Sequence, residues 1–291
     1  MAFYLIPRKL LLATFLRRLF RKLKNPYGVL YSDEFIFRHL PEKRKHAWLI
    51  SAPKSGSTWL SVLLEEGLGW DTLRLMPKDI LREEVPEIMR FMQLSRSRPV
   101  FTPRTHTRYS QSVHRMVEKA DIGVIVQVRN IFDMVISYLD HLNNDRTGFI
   151  VPVAFMNFDS WKQLSDTEKT SFIIEMVVPW YFGFYCGWMT SNLMKDGHVY
   201  LCQYERLKSD PLQELQRILD FLEEGRAETL LREIVEASDQ KPTKMNYGFV
   251  GRGRLHLNDE QKAKIVSYAS FYRGVDFGPL GISDSGNRND A

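Results

Sequence analysis

The sequence predicts an α/β fold: a single domain on a central, mostly parallel sheet flanked by helices. Three observations carry this reading. Short apolar runs near residues 48, 100, 125 and 200 alternate with stretches of helical periodicity, as strands joined by right-handed crossovers do. The run 122–128, Ile-Gly-Val-Ile-Val-Gln-Val, is apolar almost throughout, as parallel strands covered on both faces are. Residues 47–60, Ala-Trp-Leu-Ile-Ser-Ala-Pro-Lys-Ser-Gly-Ser-Thr-Trp-Leu, read as strand, tight loop and helix.

Composition narrows the class. A chain of 291 residues, 44% hydrophobic, suits one α/β domain with a sizeable core. Of the formal charge of +5, residues 1–50 contribute +8 (eleven Lys/Arg against three Asp/Glu), which leaves −3 for the rest. The body is therefore not a basic nucleic-acid binder. Cys186 and Cys202 are the two cysteines, too few for a disulfide framework, so a reducing, cytoplasmic setting is expected. No segment holds about 20 uninterrupted apolar residues.

Taken in order, residues 1–28 form a basic arm. Leu12, Leu16, Leu19 and Leu23 recur at helical spacing, with Arg17, Arg18, Arg21 and Lys22 on the other face. Such a helix suits an anionic membrane surface, or packing on the domain or a partner; both readings stay open. Asn25-Pro26-Tyr27-Gly28 ends it, and the folded domain is expected over 29–283, with a disordered tail at 284–291.

The first strand is expected at 47–52. Pro53 and Gly56 break it, and a helix begins at Thr58, with Trp59, Leu60, Val62, Leu63 and Leu64 apolar; Gly67-Leu68-Gly69 stops it. Residues 78–94 read as one or two helices split by Pro86. A second strand is expected at 99–103, a helix at 111–119, the central strand at 122–129 and an amphipathic helix at 131–142. Residues 143–160, with Gly148, Pro152 and three phenylalanines, read as a long loop. A long aromatic-rich helix follows at 166–194, a strand at 198–204, helices at 211–222 and 227–237, a polar loop at 238–257 and a last helix at 259–272.

The first strand-to-helix turn has the chemistry of an anion cradle. A helix N-terminus presents unpaired N–H groups and a partial positive charge, Gly56 lets the backbone approach a ligand, and Lys54 adds a full charge. A phosphate or sulfate group fits. The loop is not a Walker A sequence, because Lys54 precedes its only glycine. A second cation, Arg129, closes the strand 122–129, at the sheet edge where open α/β folds bind ligands.

Several stretches together resemble the sulfotransferases that use 3′-phosphoadenosine-5′-phosphosulfate (PAPS). Their first motif, Tyr-Pro-Lys-Ser-Gly-Thr-Thr-Trp, is matched by Ala52-Pro53-Lys54-Ser55-Gly56-Ser57-Thr58-Trp59. Their Thr-His pair is matched by Thr105-His106, their Arg-Asn and Asp-x-x-x-Ser-Tyr elements by Arg129-Asn130 and Asp133 to Tyr138. Tyr204-Glu205-Arg206-Leu207-Lys208-Ser209-Asp210-Pro211 and the late Gly251-Arg252-Gly253 follow in family order. Two features depart: Arg254-Leu255-His256-Leu257 replaces the usual Gly-Asp-Trp-Lys, and the Ser-Phe that helps hold adenine is not evident near Ser238.

The resemblance implies a nucleotide-kinase-like fold and assigns roles. Ser55, Gly56, Ser57 and Thr58 would hold the 5′-phosphosulfate, with Lys54 stabilising charge on the bridging oxygen as the sulfuryl group leaves. Trp59 would offer adenine a stacking face. Arg129 and Ser137 would bind the 3′-phosphate, with Arg252 and Gly253 closing over it and Tyr204 touching the nucleotide. His106 would be the general base for a hydroxyl or amine of a small-molecule acceptor. PAPS is then the co-substrate and 3′-phosphoadenosine-5′-phosphate (PAP) the product, with no metal required. The acceptor wall is expected at 70–98 and 143–160. A kinase with a degenerate phosphate loop, a silent nucleotide-binding module and a membrane-surface adaptor are the competing readings.

Overall fold

The computed structural model describes residues 45–74, 98–144, 149–150, 156–240 and 249–283. The basic arm, the helices expected at 78–94 and the tail at 284–291 lie outside them.

The sheet is built outward from β1 (His46–Ser51), all six residues of which are buried. It pairs in parallel with β3 (Val100–Thr105) on one side and β4 (Ile122–Val128) on the other. The short β2 (Asp71–Thr72) extends the β3 edge, and β7 (Val199–Gln203) pairs with β4. The five strands run in the order β2-β3-β1-β4-β7, every pair parallel. All carboxyl ends therefore meet at one edge.

Alternation along the strands divides the core into two layers. Trp48 and Ile50 of β1 and Val124, Val126 and Val128 of β4 face one layer, which takes in α2 (Gln111–Ala120), α3 (Ile131–Asn144) and α6 (Val178–Met189). Ala47, Leu49 and Ile125 face the other, where Leu60, Leu63 and Leu64 of α1 (Ser57–Leu68) meet Leu215 and Ile218 of α9 (Pro211–Phe221) and Leu231 of α10 (Glu228–Gln240).

The structure amends several expected elements. The second strand runs beyond Pro103 to Thr105: Trp48 is opposite Thr102 and Ile50 opposite Thr105, so β3 carries one extra residue. Proline has no N–H for the ladder, and a bulge carries the strand past it. The expected loop at 143–160 contains an antiparallel pair, β5 (Phe149–Ile150) and β6 (Met156–Asn157), followed by α4 (Phe158–Gln163). The long helix is α5 (Asp166–Phe172), a π turn (Ile173–Val177) and α6, and then breaks before α7 (Asn192–Lys195). Pro179 explains the π turn: its ring clashes with a carbonyl one turn back, and the preceding turn widens so that Val178 N–H reaches the Ile173 carbonyl.

The strand expected to end at Tyr204 instead gives way to a helix there, α8 (Tyr204–Ser209). Asp210 then caps α9 by accepting the N–H of Gln213 at 2.9 Å. In the expected polar loop at 238–257, α10 runs on to Gln240, and α11 (Arg252–His256) starts at Gly251, whose φ of 91° is left-handed. The last helix, α12 (Asp259–Ala269), is capped by a reciprocal pair, Asn258 and Gln261. Trp70, expected in the acceptor wall, is half-buried against the α1 layer.

Candidate active site

The cradle begins where β1 ends. Lys54 and Gly56 both have left-handed φ, 64° and 83°, and reverse the chain within a few residues. Ser55 secures the turn by donating its hydroxyl to the Ala52 carbonyl at 2.6 Å. No side chain caps α1, and its first turn has no carboxylate. The helix N-terminus thus keeps its N–H groups and positive end for an anion. Gly56 is required here twice over: a Cβ on it would lie 2.5 Å from the Tyr204 ring.

Tyr204 joins this cradle to the second cation. The Arg129 guanidinium stands 4.4 Å over the Tyr204 ring centroid. Burial pushes the Tyr204 phenol up, and neighbouring Arg129 pulls it back. Arg129 is only 7% exposed. Its Nη2 donates to the Phe249 carbonyl at 3.2 Å and lies 3.8 Å from Asp133 Oδ2. Its Nε is buried without a hydrogen-bond partner. Glu205, next to Tyr204, accepts the Asn130 N–H at 2.9 Å. Burial pushes the Glu205 carboxyl up, against the pull of that N–H.

One face of α3 carries the late glycine segment. Asp133, Ser137 and Asp140 recur at i, i+4 and i+7, so they share a face. Asp133 accepts the backbone N–H groups of Gly251 and Gly253, both at 2.7 Å, and Asp140 pairs with Arg252 Nη1 at 2.7 Å. Ser137 lies between these two anchors and is half-buried.

His106 stands across β1 from Arg129. Its Nδ1 is 2.7 Å from the Ser51 carbonyl, which can only accept, so in the neutral ring that nitrogen carries the proton and Nε2 the lone pair. Thr105 is anchored by Trp48 Nε1 at 3.0 Å and by the Thr107 hydroxyl at 3.1 Å. The bulge in β3 thereby fixes where His106 leaves the sheet. Arg104 donates through Nη1 to the Thr58 hydroxyl and so brings a third cation to the mouth of the cradle.

Trp59 is buried in the α1 layer, donates Nε1–H to Ser238 Oγ at 3.0 Å, and has the Lys208 ammonium 5.4 Å from its ring centroid. The chain thus brings Lys54, Ser55, Gly56, Ser57, Thr58, Arg129, Tyr204 and His106 to the carboxyl edge of the sheet, with Ser137, Arg252 and Gly253 on the adjoining face of α3. Sequence reasoning missed Arg104, Ser238 and the anchoring parts of Asp133 and Glu205. Asp133 and Glu205 stand inside the quoted motifs, which was the available signal. Among the described residues no group of three or more His, Cys, Asp or Glu side chains has metal-holding geometry.

A parallel sheet with an anion cradle after its first strand and a buried arginine after its fourth defines a class of phosphate-handling α/β enzymes. Within that class the chain belongs to the sulfotransferase domain family, whose model matches residues 44–250. No curated protein matches it by sequence. Among solved structures it is similar in fold to mouse sulfotransferase SULT7A1 complexed with PAP: 18% identity, TM-score 0.59, over 84% of this chain and 91% of that one. It is also similar to retinol dehydratase in complex with androsterone and inactive cofactor PAP: 13% identity, TM-score 0.57, over 88% and 86%. Retinol dehydratase with retinol and PAP gives 14% identity and a TM-score of 0.54, over 88% and 86%. These likenesses bear out the nucleotide-kinase-like α/β fold.

Proposed function

We propose that this chain transfers the sulfuryl group of PAPS to a hydroxyl or amine of a small-molecule acceptor. One observation carries the reading: Tyr204 fills the space between Gly56 of the cradle and Arg129, so two anion sites stand one aromatic ring apart. A nucleotide with anionic groups on both its 5′ and 3′ sides matches that spacing. Family membership supports the transfer chemistry, and PAP in the similar solved structures supports the donor.

The α1 N-terminus and Ser55 to Thr58 take the 5′-phosphosulfate, while Arg129, Ser137, Arg252 and Gly253 take the 3′-phosphate. Trp59, with Ser238 at its edge, marks the adenine side. In the transfer, the acceptor oxygen or nitrogen attacks sulfur, and the bond from sulfur to the bridging oxygen breaks. Its electron pair stays on that oxygen, where Lys54 neutralises it and PAP leaves. The acceptor proton passes to His106 Nε2. Retinol and androsterone, bound by retinol dehydratase, make apolar alcohols reasonable first acceptors.

Calorimetric titration with PAP and with 5′-AMP tests the donor site. Binding that depends on the 3′-phosphate and weakens in Arg129→Ala supports it. Equal, weak binding of both nucleotides rejects it. Transfer of labelled sulfate from PAPS to an acceptor panel, absent in Lys54→Ala, then tests the reaction.

A further inference from the structure

The turn that carries Arg129 has a structural problem. Arg129 lies after β4 and before α3, so its own N–H and C=O belong to neither the ladder nor the helix. One hydroxyl satisfies both. The Arg129 N–H donates to Tyr181 Oη at 2.8 Å, and Tyr181 donates back to the Arg129 carbonyl at 3.2 Å. We propose that Tyr181 is a positioning residue of the donor site, holding the Arg129 backbone so that the guanidinium meets the 3′-phosphate. This rests on the donor reading above.

Three features make the contact directional. Tyr181 comes from α6, far along the chain, and is 1% exposed, so its hydroxyl has no water to turn to instead. The π turn just before α6 adds one residue to the helix. A helical residue subtends about 100°, so without that turn Tyr181 would point about 100° away from Arg129. The following residue is held as well: Asn130 gives its N–H to Glu205, and its Oδ1 accepts the N–H of Phe132 at 3.0 Å. With the backbone fixed from α6 on one side and α8 on the other, the side chain of Arg129 is led across the Tyr204 ring. Its unpartnered, buried Nε is a donor awaiting an acceptor. Burial drives the Tyr181 phenol far above its ordinary range, so the hydroxyl keeps the proton it donates.

Tyr181→Phe removes the hydroxyl and keeps the ring. It leaves two buried backbone groups unpaired at Arg129, which should weaken PAP by roughly tenfold. The affinity for 5′-AMP, which lacks the 3′-phosphate, should stay within about twofold. That split is the expected result. An equal loss for both nucleotides, or wild-type discrimination retained, overturns the proposal while leaving the donor site standing. A wild-type chain that does not distinguish PAP from 5′-AMP removes the donor reading and this one with it. The unaltered protein provides a second measurement, which needs no variant to fold. Its Arg129 amide hydrogen should exchange slowly; exchange as fast as in an unstructured peptide also overturns the proposal.

Discussion

The Asp133 carboxylate holds Gly253 by its backbone N–H at 2.7 Å, and its second oxygen holds Gly251 at the same distance. A single buried side chain thereby fastens a segment 120 residues away onto α3, one turn past Arg129. Gly253 must be glycine for this contact, because a Cβ would lie 2.1 Å from the Phe132 carbonyl carbon. Asp133→Ala leaves two N–H groups unpaired and should lose about 1–3 kcal/mol of stability per group. PAP affinity should fall at least as far as in Arg252→Ala. Gly253→Ala should behave likewise through steric exclusion. Thermal melting and calorimetry on the three variants check this, and a Gly253→Ala variant with wild-type melting and binding would contradict it.

Gly56 is held by two independent demands, and they can be separated. Its φ of 83° strains any residue with a Cβ by roughly 1–2 kcal/mol, and the Tyr204 ring occupies the Cβ position. Gly56→Ala should destabilise the chain and abolish measurable PAP binding. Adding Tyr204→Ala clears the space but not the strain. The double variant should therefore recover part of the stability and none of the nucleotide affinity, since the Tyr204 bridge to Arg129 is gone. Full recovery of binding would show that Tyr204 has no part in the nucleotide site.

Much of this was legible because it rests on local pattern. The apolar runs at 47–52 and 122–128 announce two strands, observed at His46–Ser51 and Ile122–Val128, and the break at Pro53 and Gly56 places the cradle between strand and helix. The other features depend on partners far away in sequence. The β3 bulge is set by Trp48 and Thr105 meeting across strands, and Pro103 alone reads as a strand end. Asp133 reads as a helix-face acid until the N–H groups of residues 251 and 253 arrive. Tyr181 reads as one more core aromatic, since nothing local shows its hydroxyl reaching the Arg129 backbone. Ser238 carries no adenine motif, and only the fold of α10 brings it to the Trp59 edge.

Glu205 gives the site a pH signature. Burial raises its folded-state pKa above the ordinary 4.5. A carboxyl raised on folding favours the folded state when protonated. That contribution is fully present below pH 4.5 and is lost as pH rises through the raised value. Glu205→Gln keeps an oxygen to accept the Asn130 N–H and removes the charge that burial opposes. The melting temperature of the variant relative to wild type should therefore rise between pH 4.5 and neutral pH. A difference that stays flat or falls over that range would mean that the Arg129 and Asn130 contacts outweigh the burial of the charge.

His106 offers the cleanest division between binding and chemistry. With Nδ1–H given to the Ser51 carbonyl, the ring is oriented by a backbone atom, and in the proposed transfer Nε2 is the nitrogen that takes the acceptor proton. A group that acts only as general base contributes to the rate and not to donor binding. His106→Ala should lower kcat by roughly 10²–10⁴-fold while the PAP dissociation constant moves by less than about twofold. On the proposed mechanism Lys54→Ala should lower kcat and also raise the PAP dissociation constant, because Lys54 would meet the bridging oxygen in the bound donor and again as charge builds on it. On the proposed role of His106 as general base, the acidic limb of the pH–rate profile should disappear from the remaining activity of His106→Ala. A variant that keeps that limb would assign the proton transfer to a different base. A variant that loses PAP binding along with rate would make His106 part of the donor site.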